Sequence, residues 1–314
     1  MPSPVKKTAK AAQNVKQAKA LKQKGAIPAK KTAKVAENIK QAKALQAKGS
    51  IEEAIQEYNK ALKQAPKNFK VLNQLVVLYT MQKNWQEVIN YCYQVIALRP
   101  KNVPAYLRLA KALTKQNNLY GAVAAFQKAI ELDANAVKAT NYKQYGDILI
   151  KLGTGKTQKI QANEAVAAYQ KTVDLNPKTP PSVYLKLAST LEKQKRFEEA
   201  IASYNKLLEL KPDLGKKIYV NLGTAQMKQG LLDEAIASFE KALEINPNQA
   251  NAYGSLGTAY RKKGLLGDAI ANYEKALDLK PNTPSLHRIM GDILTKQGRT
   301  TEAAQHYEQA KSTK

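Results

Sequence analysis

Cysteine is almost missing from this chain: Cys92 stands alone among 314 residues. That excludes an intramolecular disulfide and any cysteine-built zinc site. Histidine is nearly as scarce, with His287 and His306 only. A triad or a histidine metal site needs imidazoles and carboxylates in one pocket, and nothing in the sequence arranges that. Acid is also short, with 25 Asp+Glu against 51 Lys+Arg and a formal charge of +26. Such an excess favours an acidic partner, nucleic acid or an anionic membrane surface, and it is silent on fold. No run approaches the roughly 18 apolar residues that span a bilayer. The basic N-terminus lacks the apolar core of a secretory leader, and it has no arginine and little serine for a transit peptide. The expected compartment is cytoplasmic and reducing.

What the chain has is repetition. Apolar residues make up 44% of it, enough to bury a core. A short segment, KKTAKAAQNVKQAKALKQKG at residues 6–25, recurs almost unchanged as KKTAKVAENIKQAKALQAKG at residues 30–49. A longer period governs the rest. Its clearest unit is NAYGSLGTAYRKKGLLGDAIANYEKALDLKPN. Tyr253, Leu256 and Tyr260 mark one amphipathic helix, Gly264 breaks it, and Ala269, Tyr273, Ala276 and Leu277 mark a second before Pro281. A small or β-branched residue of the second helix recurs at Ala54, Val88, Ala122, Ala165, Ala200, Ala235, Ala269 and Ala303. Four residues after each stand Tyr58, Cys92, Phe126, Tyr169, Tyr204, Phe239, Tyr273 and Tyr307. The small residue lets paired helices approach, and the residue one turn on fills the gap between neighbours.

This unit resembles the tetratricopeptide repeat, matched here by Tyr253, Leu256-Gly257, Tyr260, Ala269, Tyr273 and Pro281. The resemblance implies an all-α, right-handed α-solenoid of about eight helix-turn-helix repeats, because one pair cannot bury its own apolar face. The expected repeats are 35–68, 69–102, 103–136, 137–180, 181–215, 216–249, 250–283 and 284–314, with an insertion at 154–160 in the fourth. Residues 1–34 form a basic extension holding a truncated, repeat-like helix. It carries Lys6, Lys7, Lys10, Lys16, Lys19, Lys22, Lys24, Lys30, Lys31 and Lys34 and no acid. Either it is a solvated tail, or it is an arm for nucleic acid, acidic protein or membrane surface. It has no aromatic residue, which removes base stacking as a mode.

The isolated reactive residues read as structural. His287 takes the place of Tyr184, Tyr219 and Tyr253, so it is expected to pack between helices; His306 is expected to face solvent. Cys92 lies in the aromatic column and is expected to be a buried, inert thiol. Trp85 takes a packing place in an inter-helix turn. Acidic pairs such as Glu198–Glu199 and Asp233–Glu234 open second helices, where they complement the helix dipole. The run GTGKT at residues 153–157 is not a P-loop, because Ile150 stands where the first glycine is needed and the lead-in has helical spacing. Gly153 is expected to end its helix as Gly230 and Gly264 do. From Gly153 to Ala165 is twelve steps, against five from Gly230 to Ala235, hence the insertion; its Lys156 and Lys159 are candidate contacts.

The resemblance also implies that first helices line a partner groove. The residues this places there include Asn73, Lys111, Lys115, Lys143, Lys151, Lys193, Lys228, Arg261, Lys262, Arg288 and Lys296. Lysine recurs near the end of the first helix in six successive repeats, from Lys115 to Lys296, giving a basic ladder suited to an acidic ligand. Lysine also suits a helix C-terminus for dipole reasons alone. A clamp for a C-terminal carboxylate is disfavoured, since Asp147 follows Lys143 by one turn. The expected function is a non-enzymatic scaffold or adaptor that binds a peptide or helix of acidic character and needs no cofactor or metal. Two alternatives stay open: a nucleic-acid-associated protein that grips phosphates with the arm and groove, and a membrane-surface assembly adaptor. The oligomeric state is left open.

Overall fold

The computed structural model describes residues 29–153 and 158–312, which form an all-α chain of sixteen helices. They run in pairs: α1 (Ala29–Ala47) with α2 (Ile51–Gln64), α3 (Phe69–Met81) with α4 (Trp85–Leu98), α5 (Val103–Lys115) with α6 (Leu119–Leu132), and α7 (Ala139–Leu152) with α8 (Gln158–Leu175). The later pairs are α9 (Pro181–Lys193) with α10 (Phe197–Leu210), α11 (Gly215–Gln229) with α12 (Leu232–Ile245), α13 (Ala250–Lys263) with α14 (Leu266–Leu279), and α15 (Pro284–Lys296) with α16 (Thr300–Ser312). Eight helix-turn-helix repeats follow from this pairing.

The chain divides into two compact units, Met1–Ala168 and Tyr169–Lys314. In the first, each helix from α1 to α7 packs on the next. In the second, the same nearest-neighbour order holds from α9 to α16. The core of each unit follows the repeat columns. Ala54, Ala122, Ala200, Ala235 and Ala269 are wholly buried, and so, to within 1%, are Tyr58, Phe126, Tyr204, Phe239 and Tyr273. Removing one such aromatic side chain from water contributes about 1.5–3 kcal/mol in each of these five pairs. Glycine in the first helix gives the ring its room. A Cβ on Gly257 would stand 2.9 Å from the Tyr273 ring and 3.0 Å from the Ala269 carbonyl.

The turn inside each pair has one geometric demand, a residue in the left-handed region. Gly49, Gly230, Gly264 and Gly298 meet it, and so do Lys83, Asn117 and Lys195, with φ of 58°, 57° and 61°. Glycine adopts that region without a Cβ penalty, whereas the two lysines sit there at a cost. The fourth repeat is the exception. Gly153 does end its helix, its N–H donating to the Leu149 carbonyl, but with φ −66° and not the left-handed conformation of Gly230 and Gly264. The helix it leads to, α8, has 18 residues, against 14 in α6, α10, α12 and α14.

Caps divide the array. Asn68, Asn84, Asn102 and Asn118 cap α3 to α6, each side chain accepting from a backbone N–H three residues on. Leu231 and Leu265 hold the corresponding places before α12 and α14 and make no such bond.

Candidate functional site

In the first unit the expected contact residues lie on α3, α5 and α7. Asn73 is half-buried, and its side-chain amide donates to the Phe69 carbonyl at 3.0 Å, so its polar end is already engaged. Lys111 and Lys115 are exposed one turn apart on α5, and Lys151 is exposed at the end of α7. Lys143 is different. Its ammonium pairs with Asp147 at 2.9 Å one turn on, which neutralises both charges locally. Of the expected contact lysines on this unit, Lys111, Lys115 and Lys151 therefore keep their charge without an ion pair among the described residues.

In the second unit Lys193, Lys228, Arg261, Lys262, Arg288 and Lys296 are all exposed on first helices. Three of these helices come together around a recess of about 310 Å³. Met227 of α11, Asn251, Gly254, Ser255 and Thr258 of α13, and Ser285 and Leu286 of α15 line it. Its walls mix the hydroxyls of Ser255, Thr258 and Ser285 with the apolar Met227 and Leu286, Lys280 also lines it, and Lys228 and Lys262 stand one residue and one turn beyond the lining in sequence. Thr258 is not free to turn outward. Its hydroxyl donates to the Gly254 carbonyl at 2.8 Å and lies 3.1 Å from the Tyr273 hydroxyl.

One acid on this surface was not expected from the sequence. Glu192 of α9 stands 3.8 Å from the Lys228 ammonium and accepts the Tyr204 hydroxyl at 2.7 Å. Burial, followed by this bond to Glu192, drives the Tyr204 hydroxyl's pKa well above the ordinary tyrosine value. Glu192 therefore anchors the aromatic column and offsets one rung of the ladder. The repeat pattern hides it, because the neighbouring rung, Lys193, comes next in the chain.

The remaining candidates are dispersed. Lys31 and Lys34 are exposed on α1, which begins at Ala29 and so takes up the end of the basic extension. Lys6, Lys7, Lys10, Lys16, Lys19, Lys22 and Lys24 lie outside the described residues, as does Lys156. Lys159 is exposed on the first turn of α8, beside Ile160, which is 64% exposed. Cys92 is buried, and burial pushes its thiol up to about 12, so at neutral pH it holds its proton. Trp85 is half-buried at the start of α4. Among the described residues no group of three or more His, Cys, Asp or Glu side chains is placed to hold a metal ion. No helix among them is long and apolar enough to cross a membrane.

Of the two histidines, His306 departs from expectation. His287 is buried, as its column requires, and its Nε2 lies 3.0 Å from the Pro281 carbonyl. Tyr184 makes the equivalent bond to the Pro177 carbonyl at 3.1 Å. His306 does not face solvent: it is half-buried, and its Nδ1 lies 3.0 Å from Nδ1 of His287. The reason is the register of α16, which sets the residue before the Tyr307 column against α15.

Comparison with known proteins agrees with the repeat geometry. Tetratricopeptide repeat patterns match residues 39–103, 80–140, 181–214, 217–282 and 255–313. The C-terminal part of a tetratricopeptide repeat-containing protein from Cytophaga hutchinsonii is 20% identical, with a TM-score of 0.54 over 78% of this chain and 95% of that one. MamA from Desulfovibrio magneticus RS-1 is 20% identical, with a TM-score of 0.50 over 56% of this chain and 94% of that one. YrrB, described as a tetratricopeptide protein with an unusual peptide-binding site, is 25% identical, with a TM-score of 0.48 over 61% of this chain and 93% of that one. The paired helices, their small and aromatic columns and the repeat patterns matched along the sequence lead to one assignment: the chain belongs to the tetratricopeptide repeat family, a fold of scaffolds for protein–protein contact.

Proposed function

We propose that this chain is a non-enzymatic scaffold whose first-helix faces hold an acidic segment of a partner protein. The observation that carries the reading is the pattern of unspent charge. Lys111, Lys115 and Lys151 in one unit, and Lys193, Arg261, Lys262, Arg288 and Lys296 in the other, are exposed and make no ion pair among the described residues. The helices that carry them are fixed by buried columns, so a ligand meets cations already in place and little backbone ordering opposes binding. In the second unit the hydroxyl-lined recess between α11, α13 and α15 adds room for small side chains next to the charges. The partner is thus a peptide or helix rich in Asp and Glu, steered by long-range attraction and then fitted to the helix faces.

A nucleic-acid reading draws on the net charge of +26 and on the lysines of residues 1–34. Affinity capture of the full chain, with and without nuclease, separates the two. The scaffold reading expects the same set of proteins in both arms, enriched in acidic segments. Recovery of RNA or DNA alone, with every protein lost on nuclease treatment, would overturn it. Deleting residues 1–34 then tests whether the extension takes part in either mode.

A further inference from the structure

The chain has two histidines, and the fold brings them together. Each replaces a residue that does not titrate near neutral pH. His287 stands in the column of Tyr184, Tyr219 and Tyr253; His306 stands in the column of Ser203, Ser238 and Asn272. Tyr184 spends its hydroxyl on the Pro177 carbonyl, and His287 reproduces that bond with Nε2 on the Pro281 carbonyl. A carbonyl only accepts, so Nε2 of His287 carries its proton, and in the neutral ring Nδ1 is left as an acceptor. The imidazole thus adds something tyrosine lacks, a second polar atom aimed away from the carbonyl. That atom meets Nδ1 of His306 at 3.0 Å, with ring centroids 5.3 Å apart. A centroid separation so much larger than the nitrogen contact means that the two nitrogens point at each other, as in an N–H···N bond. One proton fits between them. If both rings carry a proton on Nδ1, two N–H groups face each other and the bond is lost.

We propose that the His287–His306 pair is a proton-sensitive latch that holds α16 against α15 and loosens it on acidification. Glu274 and Asp278 of α14 line the same recess as the two imidazoles, together with the Gln309 amide. Glu302 lies one turn before His306 on α16 and is held by Arg299 at 2.6 Å. Glu274 and Glu302 favour a charged His306; burial and the neighbouring His287 oppose it and prevail, so His306 is held below the ordinary histidine value. The sign is therefore fixed. A histidine that gains its proton less readily when folded adds stability at pH above its unfolded value of about 6.5 and loses it as pH falls through the depressed folded value. The effect is confined to the last repeat, since no other imidazole exists in the chain. It sets how firmly α16 is held to α15.

The test is imidazole-nitrogen NMR of the full chain, which contains two imidazole signals, together with hydrogen exchange of α16 against α14. The latch predicts that the two rings titrate as a coupled pair, with apparent steps more than ~1 pH unit apart. Exchange in α16, corrected for its intrinsic pH dependence, should speed up about tenfold relative to α14 as pH falls from about 7.5 to 5, the equivalent of one unit of coupling. His287→Tyr restores the column's residue and its carbonyl bond, and should abolish the α16-specific acid response. His306→Gln, at a half-buried site that tolerates an amide, removes the ring-to-ring contact and should likewise abolish the α16-specific acid response. Independent single-step titration of both rings in the parent protein would overturn the latch. So would an equal acid response of α16 in the parent and both variants.

Discussion

The Tyr204 hydroxyl donates to Glu192 at 2.7 Å, which fastens the aromatic column of α10 to a carboxylate on α9. The other oxygen of Glu192 is 3.8 Å from the Lys228 ammonium on α11, so one acid serves three successive helices. Glu192→Ala leaves a buried hydroxyl without its acceptor and is expected to lower stability by about 1–3 kcal/mol. Glu192→Gln keeps an acceptor, is expected to cost less, and frees Lys228. The two substitutions should therefore separate stability from binding: urea unfolding falls mainly for Ala, while affinity for an acidic ligand rises for Gln.

Left-handed residues in the inter-helix turns offer a second test. Lys83 and Lys195 occupy φ near 60°, where Gly230 and Gly264 sit in equivalent turns. Lys83→Gly and Lys195→Gly remove a Cβ from a crowded conformation, offset in part by the greater freedom of glycine when unfolded. Each is expected to raise stability by about 0.5–1 kcal/mol. Thermal melts of the single and double variants check the sign and the additivity, which should hold because the turns lie in different units.

Close packing at the first-helix glycine gives a third. A Cβ on Gly257 would press on the Tyr273 ring and the Ala269 carbonyl, both of them buried. Gly257→Val is expected to cost about 1–3 kcal/mol through overpacking and a β-branched side chain in a helix. Gly257→Ala should cost less, because Ala110 and Ala188 fill the same column in other repeats. Equal loss from both would mean that ring contact is not what sets the cost.

Cys92 supplies a chemical probe of local opening. Burial holds its thiol near 12, far above solution pH, with Arg108 offering only a small opposing pull. Alkylation at pH 8 should be negligible in the folded chain and rapid in denaturant. A thiol whose pKa is raised on folding contributes stability below its unfolded value and loses it as pH rises beyond that value. Mass spectrometry of the alkylated chain reads this directly.

The repeat number, the columns and the burial of Cys92 and His287 were legible in the sequence, because packing two helices repeatedly demands small and aromatic residues at fixed spacing. Three features were not. Gly153 looks like its counterparts in sequence, yet its φ is −66° where theirs are left-handed. The His287–His306 contact depends on the relative register of two helices, which spacing within either one does not encode. Glu192 reads as one more surface acid until the Tyr204 hydroxyl is seen to end on it. The ladder itself was readable as a list of positions. Its division into spent charges, Lys143 and Lys228, and unspent ones needed the acids across the surface.

The central claim is that unspent cations on the first-helix faces hold an acidic protein segment. The most direct measurement is the affinity of a captured acidic segment for the full chain and for a variant carrying Lys115→Glu, Lys151→Glu and Lys193→Glu. Fluorescence anisotropy at low and at physiological ionic strength reports it. Three reversals at roughly 0.5–1 kcal/mol each predict about tenfold weaker binding or more, with a salt dependence shallower than that of the parent. Equal affinity in both chains, unchanged by salt, would contradict the account and mark the ladder as ordinary solvated surface.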